Sequence, residues 1–497
     1  MGPIDDTAFQ AIRQPHKTAA VDLTSGRRWT YRQLDQAVGR CAGLLQGHYG
    51  CAVGDRVASL AKNRVELVIL HLACARAGLI YVPLNWRLSP PEVATLLADA
   101  TPRLIVGDGE MARLGVEGVP LDAFMAQFEA WPTDHAAPAD AERVSLILFT
   151  SGTSGRPKGA MLSERAQRQT AINFGMLGQV DARSVILIDT PMFHIIGLIT
   201  SVRPFLMQGA TLLVSDGFEP ERTLARLGDP ALGVTHYFCV PQMADRIRSA
   251  PGFDGKALQG LTALFTGGAP HPAAAIRAWL DAGVAVADGF GMSEAGTVLG
   301  MALEPETISA KAGAAGLPTA GIGIRIIDDQ GGDVPAGQAG EILLKGPNLF
   351  SGYWGRADAT AEAFTEDGWF RTGDVGVRDE DGYFSIVDRK KDMFISGGEN
   401  VYPAEIEAAL AGFEGLTEFA VIGVPDERWG EVGLCAMVCK DAAEDVPERA
   451  RAHLAERLAP YKIPRSFVLV DALPRTGSGK VRKGDLRDMV ADRSRPS

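Results

Sequence analysis

Cysteine is scarce in this chain, and its few cysteines are widely spaced. Among the 497 residues there are six, Cys41, Cys51, Cys74, Cys239, Cys435 and Cys439. Only the last two lie close together, and no pair of histidines accompanies them, so the spacing of a zinc site is absent. In a chain of this length the pattern is typical of reduced, mostly buried thiols, and it predicts a cytoplasmic protein.

Long apolar runs and an excess of positive charge are also lacking. No stretch of about 18 apolar residues occurs, and the first residues lack the apolar core of a signal peptide. We therefore predict a soluble chain with no integral membrane segment. The net charge of −12 argues against a nucleic-acid partner, which requires clustered Lys and Arg. Small anionic ligands are not excluded, because a few cations and backbone N–H groups suffice to bind them.

The common nucleotide-binding loop, G-x-x-x-x-G-K-[ST], is missing as well. The nearest stretch is "TSGTSGRPKG", which has Pro157 in place of the second glycine and Gly159 in place of the hydroxyl residue. Glycines and hydroxyls nevertheless follow an apolar strand directly and allow close approach to a phosphate. Pro157 argues against a helix wrapped around Lys158. The stretch predicts a phosphate-binding loop of another kind, with a surface turn as the alternative. Its candidate residues are Thr150, Ser151, Gly152, Thr153, Ser154, Gly155 and Lys158.

Short apolar runs alternate with helical patterns over most of the chain, which predicts an α/β fold with layers of parallel strands. One example is "RVELVILHLACARAG" (64–78), which predicts a buried helix ending at Gly78. After about residue 310, short glycine-punctuated strands predict an antiparallel or β-barrel-like piece. From about Arg389 a small α+β unit begins. We predict a large N-terminal domain of stacked α/β subdomains over 1–388 and a small mobile C-terminal domain over 389–497, with "DRKKD" as the hinge.

Three further stretches carry charged residues in glycine-rich turns. In "DGFGMSEAG", Glu294 suits Mg²⁺ held by one carboxylate, phosphates and water, and Phe290 suits a flat ring; alone, this is equally a loop packed by Phe290. In "DGWFRTGDVG", Asp374 alone is an ordinary turn former, but together with Arg389 it could hold a ribose diol. In "LPRTGSGKVRKGDLR", Lys480 lies in a Gly/Ser loop, which alone is typical of a solvated basic tail.

Taken in order, the motifs carry a resemblance over essentially the whole chain. "FTSGTSGRPKG", "GFGMSE", "GWFRTGD", "DRKKDMFISGGENVYPAEIE" and "PRTGSGKVRKGDLR" resemble those of the AMP-forming acyl-CoA synthetases of the adenylate-forming superfamily. "PMFH", "SGGENVYPAE" and "PDERWGE" are similar to stretches of fatty-acyl and 4-coumarate or feruloyl CoA ligases. The resemblance implies a ligase that forms acyl-AMP and pyrophosphate, then acyl-CoA and AMP, using ATP, Mg²⁺ and coenzyme A.

For the first step the resemblance assigns most of the site. It implies that the loop from Thr150 to Lys158 holds the β- and γ-phosphates of ATP and that Glu294 binds Mg²⁺. Asp374 would bind the ribose hydroxyls and Arg389 the ribose or phosphate. Lys480 would bridge the carboxylate and the α-phosphate. The adenine segments would be Gly267, Gly268 and Ala269, with Asp288, Gly289, Phe290, Gly291, Met292 and Ser293.

The second step involves the C-terminal residues and the acyl site. The resemblance implies that the small domain rotates about Lys391 and that Trp429 lies near the CoA nucleotide. The loop brought to the pantetheine tunnel would be Ser396, Gly397, Gly398 and Glu399. His194 matches a residue near the acyl carboxylate, with a packed core histidine as the alternative. Phe290 and Ser293 replace the more usual Tyr and Thr, for which we expect altered affinity and retained activity.

The carboxylic acid is the least defined partner. By resemblance the acyl pocket is lined by "HIIGLIT", residues 238–243, the Gly267 region and "GMSEAGTVLGM", with Gly197, Gly296 and Gly300 leaving room. These stretches contain no Arg or Lys, which argues against a dicarboxylate and favours an apolar aliphatic (fatty) or aromatic (hydroxycinnamate-type) acid.

Two other functions and the oligomeric state are left open. The first alternative is an adenylating enzyme that loads a carrier protein instead of CoA. The second is a catalytically inactive homologue that binds acyl groups or nucleotides, against which the intact Lys480, Glu294 and Asp374 argue. The sequence leaves open whether the chain forms a homodimer.

Overall fold

A computed structural model describes residues 5–132, 140–150, 157–269, 271–390, 392–396, 399–426, 428–439, 445–458, 460–475 and 480–493. Contacts between residues divide the chain into two compact units. The first consists of Met1–His271, Ala275–Gly323 and Leu344–Phe370, and the second of Pro272–Ala274, Ile324–Leu343 and Arg371–Ser497. This division groups residues 371–388 with the C-terminal residues, and the domain boundary at 388/389 stays a prediction.

The strands are given in chain order. The first twelve are β1 (Thr18–Asp22), β2 (Arg28–Thr30), β3 (Arg56–Leu60), β4 (Ile80–Pro83), β5 (Leu104–Gly107), β6 (Val119–Pro120), β7 (Val144–Thr150), β8 (Lys158–Ser163), β9 (Val185–Ile188), β10 (Thr211–Val214), β11 (His236–Cys239) and β12 (Ala263–Gly267). The others are β13 (Val286–Met292), β14 (Gly296–Gly300), β15 (Leu317–Pro318), β16 (Gly323–Ile327), β17 (Gly340–Lys345), β18 (Phe370–Arg378), β19 (Phe384–Arg389), β20 (Phe394–Ser396), β21 (Glu399–Val401), β22 (Leu416–Asp426), β23 (Gly430–Cys439) and β24 (Ser466–Leu469).

Helices separate most of the strands of the first unit. The α-helices are α1 (Asp6–Arg13), α2 (Tyr31–Gly47), α3 (Val65–Ala77), α4 (Pro90–Ala100), α5 (Gly109–Leu114), α6 (Leu121–Ala130), α7 (Glu164–Leu177), α8 (Arg203–Gln208), α9 (Pro220–Leu227), α10 (Pro241–Arg248), α11 (Ala273–Asp281), α12 (Pro305–Ala310), α13 (Ala357–Glu362), α14 (Pro403–Leu410), α15 (Val446–Ala455) and α16 (Lys483–Arg493). Short 3₁₀-helices cover Gly255–Leu258 and Pro460–Lys462, and a π-helix covers Ile196–Thr200.

Two sheets form the first unit. The nine-stranded sheet has the order β15-β14-β13-β12-β11-β9-β10-β1-β2. Its inner strands, from β13 to β1, are parallel, and its edges are antiparallel. The six-stranded sheet has the order β6-β5-β3-β4-β7-β8, and only the pair β7–β8 is antiparallel among these pairs. The alternation of strands and helices thus produces parallel layers, and the predicted α/β fold class is confirmed.

The predicted helix over 64–78 is α3, and its sequence explains its burial and its end. Nearly every residue of α3 is buried, as a helix that is apolar all round requires. The helix ends at Gly78, whose φ of 75° is left-handed and favours glycine. Strand β4 follows directly and pairs with β3 in parallel.

The second unit contains the two smaller sheets, apart from a few boundary residues of β16, β17 and β18. The four-stranded sheet has the order β16-β17-β18-β19 and corresponds to the predicted piece of short strands after residue 310. The five-stranded sheet has the order β21-β20-β23-β22, with β24 paired to β23. Helices α14 and α15 pack on this sheet through Ile406, Leu410, Ala450 and Leu454, all fully buried. This is the small α+β unit that the sequence predicts.

Two other predictions concern cysteines and membranes. All six cysteines are free, and all but Cys439 are buried, as expected for reduced thiols. Within the described residues, no helix is long and apolar enough to cross a membrane.

Candidate functional site

The loop "TSGTSGRPKG" is entered and left by paired antiparallel strands. Thr150, the last residue of β7, lies opposite Lys158, the first residue of β8, and its hydroxyl donates to the Lys158 carbonyl oxygen at 3.3 Å. The strand at Lys158 agrees with the argument that Pro157 excludes a helix there. Ser151, Gly152, Thr153, Ser154 and Gly155 lie outside the described residues, so their assignment stays a prediction.

Lys158 and Glu294 meet on one tyrosine that the sequence did not indicate. The ammonium group of Lys158 lies 5.0 Å from the ring centroid of Tyr353, within the range of a cation–π contact. The hydroxyl of Tyr353 donates to Oε1 of Glu294 at 3.0 Å. Glu294 is only 7% exposed, and its carbonyl oxygen accepts from the Phe350 amide. The first unit therefore brings together the predicted phosphate-binding cation and the predicted metal-binding carboxylate.

The two predicted adenine segments are the adjacent ends of β12 and β13. Gly267 lies opposite Gly289 in this parallel pair, and a β-carbon on Gly267 would lie 3.1 Å from the Gly289 carbonyl oxygen. Gly268 has a left-handed φ of 82°, and Ala269 follows it. Phe290, Gly291 and Met292 form the end of β13 and are half-buried. Ser293, the next residue, is half-buried as well. The Gly267–Gly289 pair thus lets the two strand ends lie close to each other, and the ring of Phe290 follows directly after it.

Asp288, one residue before this glycine pair, belongs to a buried polar network. The hydroxyl of Thr266 lies 2.9 Å from Oδ1 of Asp288 and 2.9 Å from Nδ1 of His271. Burial raises the pKa of Asp288 to about 8 and lowers the pKa of His271 to about 4. Thr266 and His271 were not predicted, because neither belongs to a motif and their contact arises only from folding.

His194 lies two residues before the start of the π-helix. Its backbone N–H donates to the Pro191 carbonyl, and its ring lies edge-on to Phe193 with centroids 4.6 Å apart. π-Helical segments often occur at functional sites. This π-helix was not predicted from the sequence.

The predicted acyl-lining stretches come together in the first unit. A β-carbon built on Gly268 would lie 3.4 Å from Ile196 Cδ1 and 3.8 Å from Val240 Cγ1, and one on Gly267 would lie 3.3 Å from the Phe238 ring. Phe238 is in turn stacked on Phe174, with 5.3 Å between ring centroids. Apolar side chains from two of the predicted stretches therefore lie next to the backbone of the third, at Gly267 and Gly268.

One expectation about this pocket was wrong. The volumes that the missing side chains leave at Gly197, Gly296 and Gly300 are filled by protein. A β-carbon on Gly197 would lie 2.3 Å from the Pro191 carbonyl oxygen, one on Gly296 would lie 1.9 Å from the Thr170 hydroxyl, and one on Gly300 would lie 2.3 Å from Leu177. Contacts this short cannot form without rearrangement. These glycines therefore allow neighbouring elements to pack closely, and they do not leave room for a substrate.

In the second unit, Asp374 and Arg389 are cross-strand partners. They lie opposite each other in the antiparallel pair of β18 and β19. Asp374 is 3% exposed, and its backbone N–H donates to the Thr372 hydroxyl, which donates to the Ile342 carbonyl. The predicted ribose-binding pair is therefore a register pair of one sheet.

The remaining predicted residues of the second unit lie on separate elements. Ser396 pairs with Glu399 across β20 and β21, and with Gly430 of β23. Trp429, next to Gly430, has the guanidinium carbons of Arg428 and Arg465 at 5.0 and 5.5 Å from its ring centroid. Lys480 is exposed and precedes Val481, which bridges to Arg475. Lys391, Gly397 and Gly398 lie outside the described residues.

Comparison with known families decides the assignment. The family model for AMP-binding enzymes matches residues 8–354, and the model for the C-terminal domain of AMP-binding enzymes matches residues 405–480. The chain belongs to the AMP-binding enzyme family. The resemblance to AMP-forming acyl-CoA synthetases that the ordered motifs indicate is confirmed.

Several relatives match this AMP-binding enzyme along nearly all of its length. A feruloyl-CoA synthase of Amycolatopsis sp is 40% identical and covers 96% of this chain and 97% of its own. An indoleacetate–CoA ligase of Aromatoleum aromaticum is 37% identical, covering 96% of both chains. A fatty acid–[acyl-carrier-protein] ligase, ScoC of Streptomyces coeruleorubidus, is 36% identical and covers 98% of this chain and 96% of its own.

Solved structures share the fold. The ATP-bound crystal structure of MatB from Rhodopseudomonas palustris has a TM-score of 0.90 at 30% identity and covers 99% of both chains. The o-succinylbenzoate CoA synthetase MenE of Bacillus subtilis, in complex with ATP and a magnesium ion, has a TM-score of 0.86 at 28% identity, covering 98% of this chain and 100% of its own. ATP and magnesium are thus ligands of close structural relatives.

Proposed function

We propose that this AMP-binding enzyme is an ATP-dependent carboxylic acid–CoA ligase, which forms acyl-AMP and pyrophosphate and then acyl-CoA and AMP. The observation that carries the proposal is the meeting of Lys158 and Glu294 on Tyr353, within a chain that belongs to this family. A cation and a carboxylate held together at the exit of a glycine-rich loop suit a triphosphate and its metal.

The residues fit a magnesium ion bound with ATP. Mg²⁺ is typically held by one or two carboxylates together with substrate phosphates and water. Among the described residues no group of three or more metal-ligating side chains occurs, and Glu294 is a single buried carboxylate oriented by a hydrogen bond from Tyr353. Bound Mg²⁺ would neutralise part of the phosphate charge.

The chain's own residues would lower the barrier by charge stabilisation and positioning. Attack of a carboxylate on the α-phosphate brings like charges together, so cations held in place stabilise the transition state. Lys158 would stabilise the departing pyrophosphate, and Lys480 would neutralise the carboxylate and the α-phosphate. Asp374 and Arg389 would hold the ribose. No covalent protein intermediate is needed, because the acyl-AMP itself is a mixed anhydride that a thiol can attack.

We propose an apolar aromatic or aliphatic acid as the substrate. The apolar side chains of Phe238, Ile196 and Val240 next to Gly267 and Gly268 support it, as do relatives named for ferulate, indoleacetate and fatty acids. Coenzyme A as the thiol is supported by the relatives named for CoA and by Trp429 between two arginines. The free cysteines support a cytoplasmic location.

A panel of acids tests the proposal. Acid-dependent pyrophosphate release and CoA-dependent AMP release are measured with ferulate, 4-coumarate, indoleacetate and fatty acids of increasing length. We expect turnover of at least one apolar acid and none of malonate. Absence of turnover with every acid would reject the ligase function.

The carrier-protein alternative is supported by the similarity to ScoC. The same panel is repeated with a phosphopantetheinylated carrier protein in place of CoA. Faster thioester formation on the carrier protein than on CoA would favour the alternative, and the reverse would favour the CoA ligase.

A further inference from the structure

The Asp288–Thr266–His271 network adjoins both predicted adenine segments, one of which begins with Asp288. Thr266 is in β12 one residue before Gly267, and Asp288 is its register partner in β13 one residue before Gly289. His271 follows the Gly267–Ala269 segment. All three side chains are buried, with exposures of 0% for Thr266, 6% for Asp288 and 3% for His271. The network therefore joins the two strand ends at the point where both reach the nucleotide segments.

The hydroxyl of Thr266 can donate a hydrogen bond to Asp288 or to His271, but not to both. It has one hydrogen, yet it lies at hydrogen-bond distance from both Asp288 Oδ1 and His271 Nδ1. If Asp288 is ionised, Thr266 donates to it and His271 must donate from Nδ1. If Asp288 is protonated at Oδ1, the carboxyl donates to Thr266, and Thr266 donates to Nδ1. A proton on Oδ1 of Asp288 therefore sets the tautomer of His271.

We propose that His271 is a positioning residue of the nucleotide site, which fixes the carboxyl group of Asp288 through Thr266 and thereby the backbone of Gly289 and Phe290. This inference rests on the proposed adenylation reaction. Removal of the imidazole takes away one of the two partners of the Thr266 hydroxyl. The hydroxyl and the Asp288 carboxyl can then adopt more than one orientation.

Burial and the charges around the network determine which of its groups are protonated. Burial raises the pKa of Asp288 to about 8, opposed by hydrogen bonds from Thr266 and from the Gly289 backbone. Burial lowers the pKa of His271 to about 4, and the nearby Arg248 lowers it further. Arg248 also lowers the pKa of the half-buried Asp245, which burial raises. At neutral pH Asp288 is therefore protonated and His271 neutral. Nε2 of His271 is buried and has no partner among the described residues.

Two matched pairs of variants test the proposal. His271→Leu removes the imidazole, whereas His271→Asn retains a polar atom near the position of Nδ1. Thr266→Val removes the hydroxyl with little change of shape, and Thr266→Ser retains it. ATP affinity is measured by calorimetry on the full chain without acid, and the KM for ATP and kcat are measured in acid-dependent pyrophosphate exchange.

We expect His271→Leu and Thr266→Val to weaken ATP binding about tenfold, the effect of one lost buried hydrogen bond, with kcat at saturating ATP much less affected. His271→Asn and Thr266→Ser should recover most of the affinity. In the wild type the dissociation constant for ATP should rise as pH passes through about 8, and Asp288→Asn should abolish this rise.

Several outcomes would overturn the inference. Unchanged ATP affinity in both His271→Leu and Thr266→Val rejects it, as does equal loss in His271→Leu and His271→Asn. A fall in kcat with unchanged KM also contradicts it. The unfolding temperature of each variant is recorded without ATP; if His271→Leu does not fold, the Thr266 pair decides. Because calorimetry needs no turnover, an ATP-binding chain that activates no acid would reject the proposed function and leave the inference testable.

Discussion

Tyr353 is the residue that contacts both Lys158 and Glu294 of the proposed phosphate and metal site. Its ring faces the ammonium group of Lys158, and its hydroxyl donates to Glu294, 59 residues away in the sequence. Residues that orient a metal-binding carboxylate affect metal affinity strongly even without contacting the metal. We therefore expect the hydroxyl of Tyr353 to affect the affinity for Mg²⁺ and its ring to affect the affinity for ATP.

Substitutions of Tyr353 separate these two effects. Tyr353→Phe retains the ring and loses the hydroxyl, so we expect the half-saturating Mg²⁺ concentration to rise about tenfold with a smaller change in the KM for ATP. Tyr353→Leu also loses the cation–π contact and should raise both the half-saturating Mg²⁺ concentration and the KM for ATP. Pyrophosphate exchange at varied Mg²⁺ and ATP measures this. Identical Mg²⁺ curves for the wild type and Tyr353→Phe would refute the role of the hydroxyl.

Lys480 should be required for only one of the two half-reactions. Because its charge would neutralise the carboxylate and the α-phosphate, Lys480→Ala should reduce acid-dependent pyrophosphate release by about a hundredfold or more. Thioester formation from supplied acyl-AMP and CoA should persist. The neighbouring Lys483, which pairs with Glu407 at 2.9 Å, provides a control variant, Lys483→Ala. Unchanged pyrophosphate release in Lys480→Ala would remove the residue from the mechanism.

At the scale of elements, the glycines of the predicted acyl-lining stretches determine how closely strands and helices pack. Gly197, in the π-helix, lies against the carbonyl oxygens of Thr190 and Pro191. A backbone oxygen cannot rotate away as a side chain can. By contrast, the neighbour of Gly300 is the flexible end of Leu177.

Gly197→Ala should therefore destabilise the protein more than Gly300→Ala. For Gly197→Ala we expect a loss of about 1–3 kcal/mol, typical of overpacking. The control is Gly217→Ala, where a β-carbon would meet nothing within 4 Å. Thermal unfolding measures the difference. An unchanged unfolding temperature with a narrower range of accepted acids would instead restore the interpretation that Gly197 leaves room for the substrate.

The elements show what the sequence could and could not predict. The alternation of apolar runs and helical patterns predicts the parallel layers, and Pro157 correctly excludes a helix at Lys158, since both depend on local backbone preferences. Tyr353 was not predicted because it joins Lys158 and Glu294 across distant segments of the chain. His271 was not predicted because its contact with Thr266, although close in the sequence, arises only from folding. The expectation for Gly197, Gly296 and Gly300 was wrong because a sequence does not show which atoms fill the space beside a glycine.

At the scale of the whole molecule, a buried carboxyl couples stability to pH. The pKa of Asp288 in the folded chain is about 8, well above its ordinary value. A raised carboxyl pKa contributes stability that is fully present below the unfolded pKa of about 4 and is lost as pH rises toward the folded value. The contribution of Asp288 thus decreases between about pH 4 and 8 and is constant above.

Asp288→Asn removes this titration. The unfolding temperature of the variant relative to the wild type should rise steadily from pH 6 to pH 8, because only the wild type loses stability from this group. Differential scanning fluorimetry across this range measures it. Curves for the two proteins that run parallel from pH 6 to 9 would contradict the raised pKa.

The most direct test of the central claim is the identity of the products formed from one acid. The chain is incubated with ATP, Mg²⁺, CoA and the best acid of the panel, and nucleotides and thioesters are quantified by mass spectrometry. We predict AMP, pyrophosphate and acyl-CoA in equal amounts, with acyl-AMP accumulating when CoA is omitted. ADP as the nucleotide product, or ATP consumption without any acyl-CoA, would contradict the account.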